Sequence, residues 1–189
     1  MSLKKRAIFL DRDGVLVEDV DLLTSPTELK ILPGVPEALS QLKAAGFLLL
    51  VVTNQTVVPR GLATLDEVEA INNYLNSQLG ALIDDFYVCV HHPHATLPEF
   101  RSDCDCRKPN PGMLLQGAKE YDVDLSGSWM VGDRISDIIA GFRAGCRTIQ
   151  LYTGLHDAPP IVSADMPEQL PEPDFSCSSL TEATEIIIR

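Results

Sequence analysis

The chain has 189 residues, of which 45% are hydrophobic and 22% are charged, and its formal net charge is −12 at pH 7. This length and composition predict one globular domain, residues 1–189, that is large enough to bury a proper core. The acidic balance argues against a nucleic-acid partner, because a phosphate backbone requires a basic binding surface. No apolar run reaches the roughly 20 residues that span a bilayer, and no signal-peptide pattern precedes the first strand. We therefore expect a cytoplasmic protein with no membrane partner.

The first predicted strand is Ala7–Leu10, a short apolar run that leads directly into Asp11 and Asp13. A run of this kind, bounded by a turn at Gly14, is typical of a buried strand in a parallel sheet. In such sheets the reactive groups lie just past the carboxyl ends of the strands. Two carboxylates this close repel each other unless they share a cation, and Mg²⁺ is the natural candidate because it takes oxygen ligands. The alternative at this point is an acidic turn after an ordinary strand.

Strands and helices alternate along the rest of the chain. The remaining predicted strands are 47–52, 85–90, 128–131, 147–151 and an edge strand at 174–177. The predicted helices are 35–46, 64–80, 113–121, 135–144 and 180–188. A capping-box pattern at Thr64 and Glu67 opens the second helix. The alternation predicts an α/β fold, a doubly wound parallel sheet with helices on both faces. We expect a connector at 14–33 and a surface excursion at 153–173.

Three of the strands end in polar residues that suit a single phosphoryl-transfer site. These residues are Asp11 and Asp13 after the first strand, Thr53 and Asn54 after the second, and Asp133 with Asp137 after the fourth. Thr53 and Asn54 supply a hydroxyl and an amide that can donate to phosphate oxygens. Lys108 lies at the entry to the helix after the third strand, where a cation would neutralise a transferring phosphoryl group. A small phosphorylated substrate is therefore compatible with the acidic net charge.

The segments Asp11-x-Asp13-Gly-Val, Thr53-Asn54, Lys108-Pro109 and Gly132-Asp133-x-x-x-Asp137 resemble, in order, the four motifs of the haloacid-dehalogenase superfamily. The resemblance covers nearly the whole chain and implies a phosphatase that works through an aspartyl-phosphate. In that mechanism Asp11 attacks phosphorus, and Asp13 protonates the leaving alkoxide and later deprotonates the attacking water. Thr53 and Lys108 would hold the phosphoryl oxygens. An aspartate at the position of Asp13 is typical of the phosphatases, whereas dehalogenases of the superfamily lack it.

The same resemblance implies a catalytic Mg²⁺ ion. Its ligands would be the carboxylates of Asp11 and Asp133 and the backbone carbonyl of Asp13, and the ion would offset the repulsion between anions. Asp137 is expected to position the lysine of the third motif or a metal-bound water, rather than to bind the ion directly.

Cys89-x-His91 and Cys104-x-Cys106 form two pairs of soft ligands separated by a loop. In a cytoplasmic chain a cluster of this kind is more often a metal site than a disulfide. Four N and S ligands in two pairs suit a closed tetrahedral Zn²⁺ site. The alternatives are free cysteines near a strand end or a redox pair, although a one-residue spacer strains a disulfide. We predict a structural zinc ion with no open coordination position.

Three histidines compete for the histidine position of this site. We prefer His91 over His92 and His94 because its one-residue spacer mirrors that of the second cysteine pair. That pair immediately precedes Arg107 and Lys108. A zinc ion here would therefore fix two cations that face the phosphate crevice.

The pattern Cys-x-His-His-Pro with Cys-Asp-Cys-Arg-Lys-Pro-x-Pro-Gly-Met is similar to the D-glycero-D-manno-heptose-1,7-bisphosphate phosphatases and their histidinol-phosphatase relatives. This resemblance implies that Arg107 reads the substrate beyond the transferred phosphate. Gln55 and Arg60-Gly61 also fit the family pattern. Two segments depart from it, because Thr56-Val57 stands in place of a small Ser-Gly and residues 19–22 lack the usual His-Gly-Tyr. The departures concern the leaving group and leave the hydrolytic step untouched.

We therefore expect a monomeric phosphatase that removes the 7-phosphate from a heptose 1,7-bisphosphate. Histidinol phosphate, the ester of an amino alcohol, is the main alternative substrate, because Asp19 and Asp21 would suit its imidazole. A polynucleotide 3′-phosphatase is disfavoured by the acidic charge, and a non-catalytic zinc-stabilised binding module is disfavoured by the intact Asp11 and Asp13. No large cap domain interrupts the predicted elements, so we expect an open crevice whose selectivity comes from short loops, with Asp19 among the substrate-binding residues.

Overall fold

Short apolar runs form six strands of one sheet within the residues that a computed structural model describes, 4–20, 22–154 and 169–189. The strands are β1 (Ala7–Leu10), β2 (Leu48–Asn54), β3 (Asp85–Cys89), β4 (Trp129–Gly132), β5 (Arg147–Leu151) and β6 (Phe175–Cys177). They lie in the order β3-β2-β1-β4-β5-β6, and every neighbouring pair is parallel. The strand order reverses beside β1, and ligands of doubly wound sheets bind at such a reversal.

In the part of the chain that the structure describes, segments with one apolar face form five α-helices between and after the strands. They are α1 (Val35–Ala44), α2 (Leu65–Gln78), α3 (Gly112–Tyr121), α4 (Ile135–Ala144) and α5 (Leu180–Ile188). The predicted capping box opens α2, because Thr64 Oγ1 accepts from the backbone N–H of Glu67 at 3.2 Å and Glu67 accepts from the backbone N–H of Thr64 at 2.7 Å. Across the described ranges, no helix is long and apolar enough to cross a membrane.

Alternate residues of the central strand pack on opposite faces of the sheet. Ile8 packs in one buried cluster with side chains of α1 and α5, among them Leu39. Phe9 packs in a second buried cluster with side chains of α3 and α4, among them Leu114. Helices therefore cover both faces, as an all-parallel sheet requires. The predicted doubly wound α/β fold is confirmed.

The observed strands differ from the predicted ones mainly at their ends. β2 continues beyond its apolar run because Thr53 and Asn54 pair with Val88 and Cys89 in the ladder of β3. Backbone pairing of this kind leaves no trace in the side-chain pattern, so polar residues at a strand end are hard to assign. The edge position of β6 is confirmed.

The predicted connector 14–33 contains more structure than expected. A 3₁₀ turn at Pro26–Glu28 is capped by Ser25, and Val17 forms isolated bridges with Asp13 and Ile31. Most of the predicted surface excursion, 155–168, and Asp21 lie outside the described residues.

Candidate active site

The carboxyl ends of β1 and β4 bring three carboxylates together at one edge of the sheet. Asp11 follows β1, and its backbone N–H donates to the Val131 carbonyl of β4 at 3.0 Å. Asp133 follows β4, and Asp137 lies in the first turn of α4. One carboxylate oxygen from each of these three aspartates lies within 4.8 Å of the other two, and all three residues are buried. We call Asp11, Asp133 and Asp137 the carboxylate cluster.

The ammonium group of Lys108 lies against the carboxylate cluster. It is 3.0 Å from Asp11 Oδ1 and 2.7 Å from Asp137 Oδ1, and it donates to the Val52 carbonyl at 2.8 Å. Burial alone would lower the pKa of Lys108, but the two carboxylates outweigh burial and raise that pKa above its ordinary value. Lys108 is therefore a fixed, charged group beside Asp11.

Asn54 holds the backbone of Lys108. Its Nδ2 donates to the Lys108 carbonyl at 3.0 Å, and its Oδ1 accepts from the Lys108 N–H at 3.1 Å. Both ends of the amide are thus engaged in placing Lys108, a role that the sequence did not indicate. The contact of Asn54 with a phosphate oxygen stays a prediction.

The charges of the carboxylate cluster and Lys108, counted by themselves, do not balance. Three carboxylates (−3) and the Lys108 ammonium (+1) sum to −2. Burial raises the pKa of Asp11 to about 6, Lys108 opposes that rise, and Asp137 adds to it. A divalent cation bound between the carboxylates would balance the charge and favour their ionised forms.

Two glycines leave the space that the Asp133 carboxylate occupies. A Cβ atom at Gly14 would lie 2.5 Å from Asp133 Cγ, and one at Gly154 would lie 2.4 Å from Asp133 Oδ2. Gly14 also has a φ of +80°, which glycine adopts without a steric penalty. The backbone therefore closes around this carboxylate, and the buried oxygen donors of Asp11 and Asp133 fit a hard cation such as Mg²⁺.

The side chain of Asp13 belongs to a second hydrogen-bonded group. Its Oδ2 accepts from Gln55 Nε2 at 2.9 Å, and the same nitrogen lies 2.9 Å from Thr53 Oγ1. Arg12 donates to both oxygens of Asp13 at 3.1 to 3.2 Å. Three of the predicted site residues are thus connected, and the structure adds Arg12 to them. The contact between Arg12 and Asp13 could not be predicted from the sequence, because an arginine between two aspartates can equally well be exposed to solvent.

The four residues of the predicted zinc site also come together. One ligand atom from each of Cys89, His91, Cys104 and Cys106 lies within 4.8 Å of the other three. The sulfur of Cys106 is 3.0 Å from the sulfurs of Cys89 and Cys104 and 3.4 Å from His91 Nδ1. These sulfur–sulfur distances exceed the roughly 2.05 Å of a disulfide bond, and the cysteines are free. The group can hold a metal ion, and two pairs of N and S donors suit zinc.

His91, rather than its two rivals, faces the three sulfurs. His92 Nδ1 accepts from the backbone N–H of His94 at 3.0 Å, and His94 is exposed. Hydrogen bonds with the other two thiols lower the pKa of Cys106 to about 5. The hydrogen bond with Cys106 raises the pKa of Cys89, and burial raises the pKa of Cys104. The thiolate, the form of cysteine that binds metal, is therefore favoured at Cys106.

Two arginines lie near the loop that carries the cysteines. Arg107 is buried, and its Nη1 donates to the His91 carbonyl at 3.0 Å. Burial lowers the pKa of Arg107, and the charge of Arg134 lowers it further. Arg134 is paired with Asp19 at 2.8 Å. Arg134 was not predicted as a site residue from the sequence, although its position directly after Gly132-Asp133 was a usable signal.

Comparison with known families and proteins gives consistent matches. The HAD-hydrolase-like family model matches residues 105–183, which include Lys108 and Asp133. The D-glycero-beta-D-manno-heptose-1,7-bisphosphate 7-phosphatase of Pasteurella multocida is 42% identical to this chain over 154 residues, or 79% of this chain and 83% of that protein. The protein of the same name from Escherichia coli is 38% identical over 151 residues, or 78% of this chain and 79% of that protein.

A solved structure shows the same similarity in three dimensions. The D,D-heptose 1,7-bisphosphate phosphatase from B. bronchiseptica, crystallised with magnesium and phosphate, superposes with a TM-score of 0.82 at 33% sequence identity. The match covers 97% of this chain and 98% of that chain.

Proposed function

The chain belongs to the D-glycero-beta-D-manno-heptose-1,7-bisphosphate 7-phosphatase family of haloacid-dehalogenase-like phosphatases, and on this basis we propose that it removes the 7-phosphate from a heptose 1,7-bisphosphate. The main supporting observation is the Asp11 carboxylate at the tip of β1, ion-paired with the buried Lys108 and close to Asp133. Such an arrangement suits a nucleophile that attacks phosphorus while a fixed cation stabilises the charge of the transferring group. Mg²⁺-dependent release of one equivalent of phosphate from the bisphosphate tests the proposal.

The proposed reaction has two steps. In the first, a carboxylate oxygen of Asp11 bonds to phosphorus, the bond from phosphorus to the sugar oxygen breaks, and Asp13 gives that oxygen a proton. In the second, Asp13 takes a proton from water, and the water oxygen attacks phosphorus and displaces Asp11. The products are the sugar 1-phosphate and inorganic phosphate, and both aspartates return to their starting states. Lys108 and Thr53 would hold the phosphoryl oxygens throughout.

The proposed Mg²⁺ ligands are the carboxylates of Asp11 and Asp133 and the backbone carbonyl of Asp13. Bound there, the ion would neutralise charge and orient the phosphoryl oxygens. The net charge of −2 in the carboxylate cluster and Lys108 supports this assignment. Asp137 is proposed to position Lys108 instead. Its Oδ1 pairs with the Lys108 ammonium, and its Oδ2 accepts a hydrogen bond of 3.0 Å from the backbone N–H of Arg134.

We propose that Cys89, His91, Cys104 and Cys106 hold a structural Zn²⁺ ion. The loop that bears this group continues directly into Arg107, whose guanidinium donates to the His91 carbonyl. A closed zinc site would therefore fix two backbone segments: the one at Cys106, which precedes Arg107 in the chain, and the one at His91, whose carbonyl accepts from the Arg107 side chain. The ion would have no open position for chemistry.

His91→Ala is expected to lose the zinc ion, whereas His94→Ala is expected to keep it. Zinc binding at such a site is also folding free energy, so the melting temperature of His91→Ala should fall by about 10 °C or more, given roughly 2–4 °C per kcal/mol in a domain of this size. Elemental analysis and thermal melting measure the two effects. One zinc ion per chain in His91→Ala, or an unchanged melting temperature, would rule out this ligand set.

Arg107→Ala is expected to act selectively on the bisphosphate. A guanidinium suits a second phosphate bidentately, so kcat/KM for heptose 1,7-bisphosphate should fall by about 10–10³-fold, the worth of charge-assisted hydrogen bonds. Hydrolysis of a monophosphate ester that lacks the distal phosphate should barely change. Steady-state kinetics on both esters measure the difference.

Arg101→Ala is the matched control for Arg107→Ala. Arg101 lies in the same loop, is exposed and donates to the Ala95 carbonyl at 2.9 Å, so its loss should affect both esters equally and slightly. If Arg107→Ala also reduced hydrolysis of both esters equally, Arg107 would serve the transferred phosphate. Histidinol phosphate would then become the better substrate proposal.

The environment of Asp19 favours the bisphosphate over histidinol phosphate. An acidic pocket for imidazole needs a carboxylate with charge to spare, but Asp19 is paired with Arg134 at 2.8 Å. The same pair neutralises Arg134, so Arg107 is the arginine of the two that we propose to bind an anion in this region. A small phosphorylated sugar is therefore the partner that we propose.

We also propose that residues 1–189 form one domain that acts as a monomer. The six-stranded sheet of the described residues draws its strands from both halves of the chain, from β1 to β6, which supports one folding unit. The net charge of −12 supports a small substrate over a nucleic acid.

A further inference from the structure

Arg12 connects the Asp13 carboxylate to helix α2. Its side chain is 1% exposed, and it donates from Nε and Nη2 to Asp13 Oδ2 at 3.2 and 3.1 Å and from Nη2 to Asp13 Oδ1 at 3.2 Å. The remaining nitrogen, Nη1, donates to Asn72 Oδ1 at 3.0 Å. Asn72 belongs to α2 and is itself 3% exposed. A helix on one face of the sheet is thus tied to the turn that follows β1.

A buried guanidinium needs an explanation, because an apolar side chain would fill the same space without the cost of removing a charge from water. The planar guanidinium has a rigid fork of donors, so it fixes the orientation of a carboxylate, which a lysine ammonium would leave free to rotate. Asn72 in turn fixes the guanidinium. The arrangement is therefore suited to holding Asp13 in one orientation.

We infer that Arg12, held by Asn72, is a positioning residue that orients Asp13 for proton transfer. The inference rests on the proposed role of Asp13 as general acid and base. Asp13 Oδ2 accepts three of the contacts, two from Arg12 and one from Gln55, whereas Oδ1 accepts one, at 3.2 Å. Oδ1 is therefore the oxygen that carries the transferred proton. It gives this proton to the sugar oxygen as the phosphorus–oxygen bond breaks, and it takes one from water when the aspartyl-phosphate is hydrolysed.

The dependence of the rate on the leaving group separates positioning from general structural support. An alkoxide leaving group needs the proton, whereas 4-nitrophenolate leaves without it. In Asn72→Leu and Arg12→Lys, kcat/KM for heptose 1,7-bisphosphate should fall by about 10–10²-fold, the effect of a small misplacement of a catalytic group. The value for 4-nitrophenyl phosphate should stay within about threefold. The ratio kcat/KM is the right quantity because it excludes hydrolysis of the aspartyl-phosphate, which needs Asp13 for both esters.

Asn76→Leu is the matched control for Asn72→Leu. Asn76 lies one turn further along α2 and forms hydrogen bonds of 3.0 and 3.2 Å with the Ile83 backbone. Its loss should lower the stability of the fold and leave the ratio of the kcat/KM values for the two esters unchanged. A second control combines Asn72→Leu with Asp13→Asn. In this double variant, Asn72→Leu should cause no further decrease in kcat/KM for heptose 1,7-bisphosphate.

The outcomes distinguish the inference from the function on which it rests. Phosphate release by the unaltered chain tests the function alone. If the unaltered chain is active but Asn72→Leu slows both esters equally, Arg12 and Asn72 only support the fold and the inference is wrong. The same conclusion follows if the losses from Asn72→Leu and Asp13→Asn multiply. If Arg12→Lys fails to fold, Asn72→Leu alone decides every comparison, because it removes the group that fixes the Arg12 guanidinium against Asp13.

Discussion

Asp11→Asn is expected to abolish turnover of the bisphosphate. The amide has nearly the volume of the carboxylate but is not nucleophilic, so no aspartyl-phosphate forms. Removal of a catalytic nucleophile typically costs more than about 10⁴-fold. The fold should persist, because the change removes one negative charge from a buried group whose charges sum to −2. Steady-state phosphate release, together with protein-bound phosphate after acid quenching, measures the effect.

Asp103→Asn is the control for this substitution, because it makes the same chemical change at an exposed aspartate. The control should keep full activity, and thermal melting should show both variants to be folded. Residual activity of Asp11→Asn within tenfold of the unaltered chain would show that Asp11 is not the nucleophile.

Lys108→Met is expected to cause the second-largest loss of activity. The ammonium lies 3.0 Å from Asp11 and 2.7 Å from Asp137, where it would stabilise charge on the transferring group. Removal of one such stabilising group costs about 10²–10³-fold in kcat. Stability should fall as well, because breaking a buried ion pair costs about 3–5 kcal/mol. Activity must therefore be measured on protein shown to be folded by circular dichroism.

Lys43→Met separates the effect on activity from the effect on stability. The Lys43 ammonium is 2.8 Å from Asp84 in a partly exposed pair on the opposite side of the sheet from α3 and α4, and such pairs contribute about 0–1 kcal/mol. This variant should keep its activity. A folded Lys108→Met variant with activity within tenfold of the unaltered chain would contradict the role assigned to Lys108.

The convergence of Asp11, Lys108, Asp133 and Asp137 was predictable from the sequence because the residues follow strands of a parallel sheet. The carboxyl ends of such strands meet at one edge, so strand assignment placed Asp11 and Asp133 together, and the motif spacing added Lys108 at a helix entry and Asp137 one helical turn on. The choice of His91 followed from a local spacing, which a loop can preserve. Both predictions place residues near one another from local pattern and topology, which the sequence records.

The contacts that position the site were not predictable in this way. Arg12 and Asn72 are separated by 60 residues, and Arg134 and Asp19 by 115. Such pairs depend on how a helix or a loop packs against the sheet, and neither hydrophobic period nor motif spacing records that packing. For the same reason the sequence suggested a phosphate contact for Asn54 and gave no sign of its two hydrogen bonds to the Lys108 backbone.

Phosphorus NMR of the reaction with heptose 1,7-bisphosphate and Mg²⁺ tests the central claim most directly. The proposed function predicts that the signal of the 7-phosphate disappears, that one equivalent of inorganic phosphate accumulates and that the sugar 1-phosphate remains intact. Histidinol phosphate offered under the same conditions should be hydrolysed far more slowly. Loss of the 1-phosphate, or faster hydrolysis of histidinol phosphate than of the bisphosphate, would contradict the account.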